Sequence, residues 1–186
     1  MMTYDREVVK LGEATRDLHR ALYGPPPNLR PVVATSRLDG QQWTFTTSAP
    51  ADEWAQSAFD DSGWREGMGG FGTEGTPGTT VRTVWDTPDL WIRRVFSLSQ
   101  ENLEALADAP LFLRIHHDED AEVYLNGTEI SALEGYSTGY RLIPLDPEVL
   151  PVFRAGGNTL AVHVRQTDGG QYIDVGIVEW VEDPGR

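Results

Sequence analysis

The dipeptide Asn126-Gly127 constrains the fold of this chain more than any other short stretch of its sequence. Both residue types tolerate the positive φ that two-residue hairpin turns require, which makes Asn-Gly a strong hairpin signal. A β-prone run, 121–125, leads into it, and an earlier run, 111–115, leads into two histidines and three acids at 116–120. We therefore expect 111–127 to form one hairpin with a loop on each side of its second strand.

Short strand patterns separated by turn residues recur after about residue 32. In the first of them Trp43 and Phe45 share one face, because apolar and polar residues alternate as they do in half-buried strands. Strands are also expected at 90–98, 111–115, 121–125, 136–143, 159–165 and 172–181, and short helices at 101–107 and 147–153. About eight short strands joined by turn residues predict an all-β protein, an antiparallel jelly-roll β-sandwich.

The N-terminal region has a different pattern. Apolar residues recur at three- and four-residue steps within 4–22, which is typical of a helix with one buried stripe. Gly24 and three consecutive prolines follow it. We expect residues 1–31 to form an N-terminal helix and a proline-rich linker, and residues 32–186 to form the β-sandwich domain. The helix packs either on this domain or on a domain upstream.

Composition excludes several classes of function. The chain has 186 residues and a formal net charge of −14, which disfavours binding to nucleic acid phosphates and to anionic membranes. It contains no cysteine, so disulfides and thiol catalysis are excluded. No run approaches the roughly 20 apolar residues of a membrane span, and the first residues lack the apolar stretch of a signal peptide. We expect either an intracellular protein or a part of a longer secreted one.

The sequence matches a phosphate-binding loop and a cupin-type metal site only loosely. The glycine-rich run 67–78 lacks the lysine and the strand-to-helix context of a phosphate-binding loop, so we expect a long surface loop with an aromatic anchor. His116, Glu122, Gly127 and His163 loosely match a metal enzyme of the cupin type, in which His163 reaches one of the earlier histidines across the sheet. Adjacent strand residues point to opposite faces, however, so His116 and His117 do not make a metal-binding pair on their own.

Arg94 falls on the apolar face of the predicted strand 90–98. The other side chains on that face are Leu90, Ile92, Phe96 and Leu98. An unpaired charge there costs several kcal/mol on an order-of-magnitude scale, so the guanidinium requires an anionic or carbonyl partner. We expect an ion pair with an acid such as Asp118 or Asp120.

Four short motifs occur in an order that resembles a known family. They are 59–64 (FDDSGW), 91–96 (WIRRVF), 120–127 (DAEVYLNG) and 157–163 (GNTLAVH). Over about residues 38–181 they resemble the galactose-binding-like jelly roll, in particular the sugar-binding domain beside the catalytic barrel of family-two glycoside hydrolases. The resemblance implies a sandwich of eight or nine antiparallel strands that serves as an accessory domain without catalytic residues of its own.

The resemblance also implies roles for single residues. Trp64 and Phe96 belong to the core, and Asn126-Gly127 forms a hairpin turn. A structural calcium ion is common in such sandwiches, and the acids able to supply its oxygens include Asp60, Asp61 and Asp118. The sequence departs from the family pattern in 67–78, in His116-His117 and in 171–174. Because no barrel follows the sandwich, we do not expect the glycosidase activity of relatives to carry over.

Sugar recognition needs flat aromatic surfaces and a few fixed polar groups. The candidates are Trp85, Asp89 and Trp91 in one loop, His117, Asp118 and Asp120 in a second, Gln171 and Tyr172 in a third, and Arg94 as their neighbour. We expect a noncatalytic carbohydrate-binding or accessory domain of a larger carbohydrate-active protein, with a carbohydrate ligand and an adjacent catalytic domain as partners. The alternative is a purely structural interdomain module with no small ligand. A cupin-like metal enzyme is the least favoured function.

Overall fold

The computed structural model describes residues 28–107 and 109–181 of the chain. Within them, Arg30–Trp180 form one compact unit built from two six-stranded β-sheets that enclose a common core. The predicted all-β sandwich is confirmed. The helix expected at 4–22 lies outside the described residues. None of the helices in the described ranges is long and apolar enough to cross a membrane.

The described residues contain twelve strands and two short helices. The strands are β1 (Asn28–Val33), β2 (Gln42–Thr46), β3 (Arg65–Met68), β4 (Phe71–Gly72), β5 (Thr83–Val84), β6 (Asp89–Leu98), β7 (Leu111–Asp118), β8 (Asp120–Leu125), β9 (Thr128–Leu133), β10 (Arg141–Pro144), β11 (Gly156–Arg165) and β12 (Tyr172–Val181). Helix α1 spans Gln100–Ala105, and a 3-10 helix spans Pro147–Val152. Each begins after a residue whose side chain accepts a backbone N–H, Ser99 and Asp146 respectively.

The two sheets have different strand orders. Sheet 1 runs β3-β2-β6-β11-β8-β9, and sheet 2 runs β10-β7-β12-β4-β5, with β1 also paired to β12. The long strands β6, β7 and β11 pair antiparallel with their neighbours, whereas β4 and β5 are parallel over two residues. In sheet 1, His163 lies opposite both Trp91 and Glu122. In sheet 2, Asp174 lies opposite His116.

Alternate residues of the long strands fill the core between the sheets. The fully buried ones include Leu113, Ile115, Ile173, Val175 and Ile177 from sheet 2 and Ile92, Val123, Leu125, Leu160 and Val162 from sheet 1. Burying one such side chain contributes about 1.5–3 kcal/mol. Because a strand has a period of two, the residues between them face away from the core. On β12 these outward residues are Tyr172, Asp174 and Gly176.

The expected hairpin over 111–127 is wrong in one respect. The turn at Asn126-Gly127 is present, with φ of 51° and 86°, and it joins β8 to β9. Strand β7, however, pairs with β10 and β12 in sheet 2, whereas β8 pairs with β9 and β11 in sheet 1. The chain therefore crosses from one sheet to the other near Glu119. Alternation on both strands aims apolar side chains at the core from either sheet, so the pattern alone does not distinguish a hairpin from a crossing.

The glycine-rich run 67–78 is not one long loop. It contains the end of β3 and all of β4, and its aromatic anchor, Phe71, is fully buried. Its glycines allow close approach instead: a Cβ on Gly69 would lie 2.2 Å from Ser36 Oγ, and one on Gly72 would lie 2.2 Å from the Gln171 carbonyl oxygen. A side chain at Gly72 would clash with the backbone just before β12.

The buried arginine of β6 is Arg93. It lies on the outer face of sheet 1 at 1% exposure, and its Nε donates to Asp61 Oδ2 at 2.9 Å. Its Nη atoms donate to the carbonyl oxygens of Trp54, Gln56 (2.9 Å) and Phe59 (3.4 Å). Asp61 belongs to the FDDSGW motif and also accepts from Thr44 Oγ1. The motif therefore has an architectural role in covering this face.

Arg94 has partners other than the expected ones. Its Nη1 donates to the Ala34 carbonyl oxygen and its Nη2 to Gln41 Oε1, both at 2.7 Å. The predicted ion pair with Asp118 or Asp120 is wrong. The segment between β1 and β2 supplies neutral oxygens instead, and burial lowers the pKa of the guanidinium while the nearby Asp174 raises it.

Candidate functional site

The outer face of sheet 2 carries a polar pocket. Alternation on β7 and β12 places His116, Tyr172 and Asp174 on this face, yet each is only 1% exposed. Loops before β2, before β5 and before β10 cover them. The cavity left between the loops has a volume of about 340 Å³ and is lined by Arg37, Leu38, Gly78, Thr80, Gly139, Tyr140 and Tyr172. We call it the Tyr140 pocket.

The loop before β10 replaces part of a predicted strand. A strand was expected at 136–143, but β10 covers only Arg141–Pro144. Gly135 has a φ of 69°, which breaks the extended path after β9, and Ser137 N donates to the His117 carbonyl oxygen at 2.8 Å. These contacts fold the loop over sheet 2 and bring Tyr140 to the pocket.

Asp174 lies beneath the pocket with both carboxylate oxygens engaged. Oδ1 accepts from Ser36 N at 3.0 Å, and Oδ2 accepts from the Tyr140 hydroxyl. Burial raises the pKa of Asp174, while hydrogen bonds from Tyr140 and Ser36 and the positive charge of Arg82 oppose that rise. The carboxylate therefore anchors two of the covering loops to β12.

Two neutral phenols and a histidine form the aromatic side of the pocket. Burial, followed by the charge of Asp174, raises the pKa of both Tyr140 and Tyr172. The Tyr172 hydroxyl donates to the Thr80 carbonyl oxygen at 3.4 Å. The His116 ring centroid lies 4.8 Å from that of Tyr172 and 5.6 Å from that of Tyr140. The rings offer flat surfaces, and the hydroxyls are held by fixed partners.

His116 keeps one nitrogen without a partner. Burial lowers the pKa of the imidazole, so the ring is neutral, and Nε2 donates to the Ser137 carbonyl oxygen at 3.1 Å. Nδ1 is then an acceptor, and it has no hydrogen-bond partner among the described residues. Gly78, which lines the pocket, lies next to this ring: a Cβ there would be 4.0 Å from His116 Cε1.

One arginine, Arg37, lines the pocket, and Arg114 and Arg82 lie near its tyrosines. The guanidinium carbons of Arg37 and Arg114 each lie 5.6 Å from the centre of the Tyr140 ring. Arg82 donates from Nη2 to the Leu38 carbonyl oxygen at 3.3 Å, and its buried Nη1 has no partner in the described part of the chain. A Cβ on Gly70 would lie 2.5 Å from the Thr80 carbonyl oxygen, 3.3 Å from the Tyr172 hydroxyl oxygen and 3.6 Å from this Nη1, so all three atoms lie beside Gly70.

The structure divides the nine predicted site residues between several places. Tyr172 lines the Tyr140 pocket, and Arg94 lies close enough to Asp174 for their charges to interact. Trp85 is 1% exposed, with Nε1 bonded to Thr87 Oγ1 at 3.0 Å, so its ring has no face open to a sugar. Gln171 is also buried and donates to the Thr87 carbonyl oxygen at 2.8 Å.

The predicted residues at the crossing between the sheets have structural partners. His117 is 1% exposed, and its Nδ1 lies 2.7 Å from the Glu119 carbonyl oxygen. Asp120 Oδ1 accepts from Gly135 N at 2.7 Å. Burial, followed by the charge of Glu119, raises the pKa of Asp118.

Asp89 and Trp91 lie elsewhere, on the outer face of sheet 1. The His163 ring stacks on Trp91 with centroids 4.6 Å apart and planes at 9°. Its nitrogens contact Asp89 Oδ1 at 2.9 Å and Glu122 Oε2 at 3.3 Å. Because His116 and His163 face outward from opposite sheets, no single ion reaches both, and the geometry that a cupin-like centre needs is missing. Residues 28–107 and 109–181 contain no group of three or more acids and histidines placed to hold a metal.

The sequence interpretation missed Asp174, Tyr140, Arg37 and Arg82 as site residues. For Asp174 a signal was present, since it is the one acid within the apolar run 172–178. A carboxylate on such a strand needs buried partners. Nothing local identifies Tyr140 as its partner, because the two residues are 34 positions apart.

The sequence matches no protein-family model and no curated protein. Solved structures do match in fold. The chain aligns with a β-glucuronidase of Bacteroides uniformis at 20% identity and a TM-score of 0.55, over 83% of this chain and 18% of that chain. A β-glucuronidase of an uncultured Clostridium species aligns at 16% identity and a TM-score of 0.51, over 85% of this chain and 30% of that chain. A β-glucuronidase from glycoside hydrolase family 2 aligns at 16% identity and a TM-score of 0.50, over 75% of this chain and 17% of that chain. At these identities the likeness shows the fold alone, and the chain spans less than a third of each enzyme.

Proposed function

We propose that the chain is a noncatalytic accessory domain of a larger glycoside hydrolase of family two, of the galactose-binding-like type, and that it binds carbohydrate in the Tyr140 pocket. The observation that carries the proposal is the extent of the structural likeness. Most of this chain, 83%, aligns with only 18% of a β-glucuronidase. A match of that extent is what one accessory domain of a multidomain enzyme produces, and the catalytic domain is then its partner in the same protein.

The composition of the pocket supports carbohydrate as the ligand. Its volume of about 340 Å³ falls at the small end of ordinary ligand sites, which run from about 300 to 1,000 Å³. Tyr140 and Tyr172 present rings to the C–H faces of a sugar, while the Thr80 carbonyl and the phenol oxygens are placed to pair with hydroxyl groups. One monosaccharide unit matches this size.

The lining also supports a noncatalytic role. Hydrolysis of a glycosidic bond ordinarily uses two carboxyl groups that flank the bond. None of the described residues that line the pocket carries a carboxyl group. Asp174 is buried beneath the lining, and its oxygens are occupied by Tyr140 and Ser36.

A glycan array followed by calorimetry on the full chain tests the proposal. We expect at least one glycan to bind at submillimolar concentration and Tyr140→Ala to reduce its affinity at least about tenfold. Tyr136→Ala is the matched control, because Tyr136 lies on the same loop and is 66% exposed. Binding that survives Tyr140→Ala would exclude the pocket as the site. A negative array at millimolar concentration would exclude carbohydrate binding by this chain.

An interdomain module without a small ligand is the second candidate, and a separate surface favours it. An apolar groove of about 370 Å³ lies where α1, β7 and the 3-10 helix meet, and its lining includes Leu106, Pro110, Phe112, Pro144 and Leu150. Trp180 packs beside Phe112 at 6.1 Å and remains 42% exposed. Exposed apolar surface of this kind is typical of contact between domains. This candidate predicts that the isolated chain binds no glycan, so the same array distinguishes the two.

A further inference from the structure

We propose that the Tyr140 pocket selects an acidic sugar, that is, a monosaccharide unit carrying a carboxylate, over its neutral counterpart. The inference rests on the proposed carbohydrate-binding function and adds the charge of the ligand. It is carried by the arginines around the pocket and by the unpartnered donor of one of them.

Arg82 supplies the group that most requires a ligand. Its Nη1 is buried and lacks a partner among residues 28–107 and 109–181. It lies beside Gly70, where the pocket-lining Thr80 carbonyl and Tyr172 hydroxyl also lie, although Arg82 itself is not among the lining residues. A buried donor left unpaired is costly, so such groups in native proteins usually serve a ligand, an ion or a water molecule. A guanidinium N–H forms its strongest hydrogen bonds with carboxylate or phosphate oxygens.

Arg37 adds a second positive charge at the mouth of the pocket. It is exposed, lines the cavity, and lies over the Tyr140 ring. Arg114 lies at the same distance from that ring. The cation–π contact with the ring does not use the N–H groups of Arg37, so they remain available to a ligand.

Asp174, the acid beneath the pocket, does not cancel these charges toward a ligand. Asp174 is 1% exposed, and both its oxygens accept hydrogen bonds from within the protein. Arg82 and Arg94 both lie close enough to interact with its charge. Among the described residues no carboxyl group lines the pocket, whereas Arg37 lines it and Arg114 lies beside the Tyr140 ring, which leaves a local excess of positive charge.

That excess stands against the charge of the whole chain. With a formal net charge of −14, the protein repels anions at long range, so an anion binds only where positive groups are concentrated. A neutral sugar gains nothing from such a concentration. A carboxylate on the ring gains a charge-assisted hydrogen bond, while the remaining hydroxyls and C–H faces meet the tyrosines.

The test is a binding series on the full chain with three probes of matched size or charge: galacturonate, galactose and acetate. Calorimetry gives affinity, and ¹⁵N chemical shifts locate the site. We expect galacturonate to bind at least about tenfold more tightly than galactose and acetate, with shifts at Gly78, Thr80 and Gly139. Arg37→Gln and Arg82→Gln should each remove most of that preference. Arg154→Gln removes the same charge from an exposed residue outside the pocket and should leave it intact.

The outcomes separate this inference from the proposed function. Equal binding of galactose and galacturonate overturns the charge selection and leaves carbohydrate binding in place. Acetate binding as tightly as galacturonate overturns it in favour of a simple anion site. If the whole glycan array is negative, the proposed function fails and this inference fails with it. Arg37 is exposed, so its variant tests the charge even if Arg82→Gln lowers stability.

Discussion

The outer faces of the two sheets both bury a charged side chain, and they treat it differently. On sheet 1, Arg93 donates to an acid and to three carbonyl oxygens, and a loop covers it. None of its buried donors lacks a partner. On sheet 2, Asp174 is equally well bonded, but a cavity of about 340 Å³ remains above it. A buried charge that is fully satisfied fixes architecture. A buried charge beneath an open, polar cavity prepares a site.

The unpartnered atoms sharpen this difference. Four buried side-chain polar atoms of the described residues lack a partner, and two of them, Arg82 Nη1 and His116 Nδ1, lie against the tyrosines of the Tyr140 pocket. Arg93 contributes none. The sheet 1 network is therefore complete in the protein alone, whereas the sheet 2 network has donor and acceptor capacity left for something else.

The largest expected effect is at Arg93. Arg93→Met removes the cation and leaves Asp61 and three carbonyl oxygens without their donor, so we expect a loss of about 3–5 kcal/mol in the free energy of unfolding. Urea denaturation followed by tryptophan fluorescence measures it. Arg154→Met, an exposed arginine, is the control and should change stability by less than about 0.5 kcal/mol. A loss below about 1 kcal/mol at Arg93 would contradict an architectural role for this network.

Removing one hydroxyl at the pocket should have an intermediate effect. Tyr140→Phe deletes the donor to Asp174 Oδ2 and leaves a buried carboxylate oxygen unpaired, so we expect a loss of about 1–3 kcal/mol. Tyr136→Phe removes an exposed hydroxyl from the same loop and serves as the control in the same denaturation experiment. If the two variants are equally stable, Asp174 does not anchor this loop.

Arg82 offers the most direct contrast with Arg93. Arg82→Met removes a side chain whose Nη1 is unpaired and whose one hydrogen bond, to the Leu38 carbonyl oxygen, is 3.3 Å long. We expect stability to change by less than about 1 kcal/mol in either direction, because an unpaired buried donor is lost together with a weak bond. The same substitution at two arginines should thus give a large and a small effect. Comparable losses would mean that both faces are architectural.

The sandwich was predictable from sequence because its signals are local. Strand alternation at Trp43 and Phe45, and the positive φ that Asn126-Gly127 tolerates, depend on a few neighbouring residues. The sheet to which a strand belongs is not local information. Strands β7 and β8 have apolar residues at the same period, and only their partners far along the chain place them in different sheets.

The candidate site was less predictable for the same reason. Tyr172 was identified as a loop aromatic, but its partners Thr80 and Tyr140 come from segments 92 and 32 positions away. Trp85 had the same kind of signal and is a buried anchor. The sequence does not distinguish a pocket aromatic from a buried anchor, because the exposure of either one depends on which other loops cover it.

The smallest expected effect is a change in the free energy of unfolding with pH. It tests whether His116 belongs to the hydrogen-bond network of the pocket. Burial lowers the pKa of His116 in the folded protein below about 6.5, its usual value when unfolded. The unfolded chain therefore binds more protons below that pH, and the stability that the neutral ring contributes is present above pH 6.5 and declines as the pH falls through the folded pKa. Tyr140 and Tyr172 face the ring, and the charge of His117, its neighbour on β7, adds to the lowering of the His116 pKa.

His116→Gln removes this titration while keeping a donor for the Ser137 carbonyl oxygen. We expect the unfolding free energy of the unmodified chain, relative to that of His116→Gln, to fall between pH 7 and pH 5. Urea denaturation at half-unit steps measures it, and His163→Gln, on the other sheet, controls for a general effect of losing a histidine. A difference that stays constant across this range would mean that the imidazole is solvated. Water would then surround His116 and pair with its Nδ1, so this acceptor would no longer be an argument for a bound ligand.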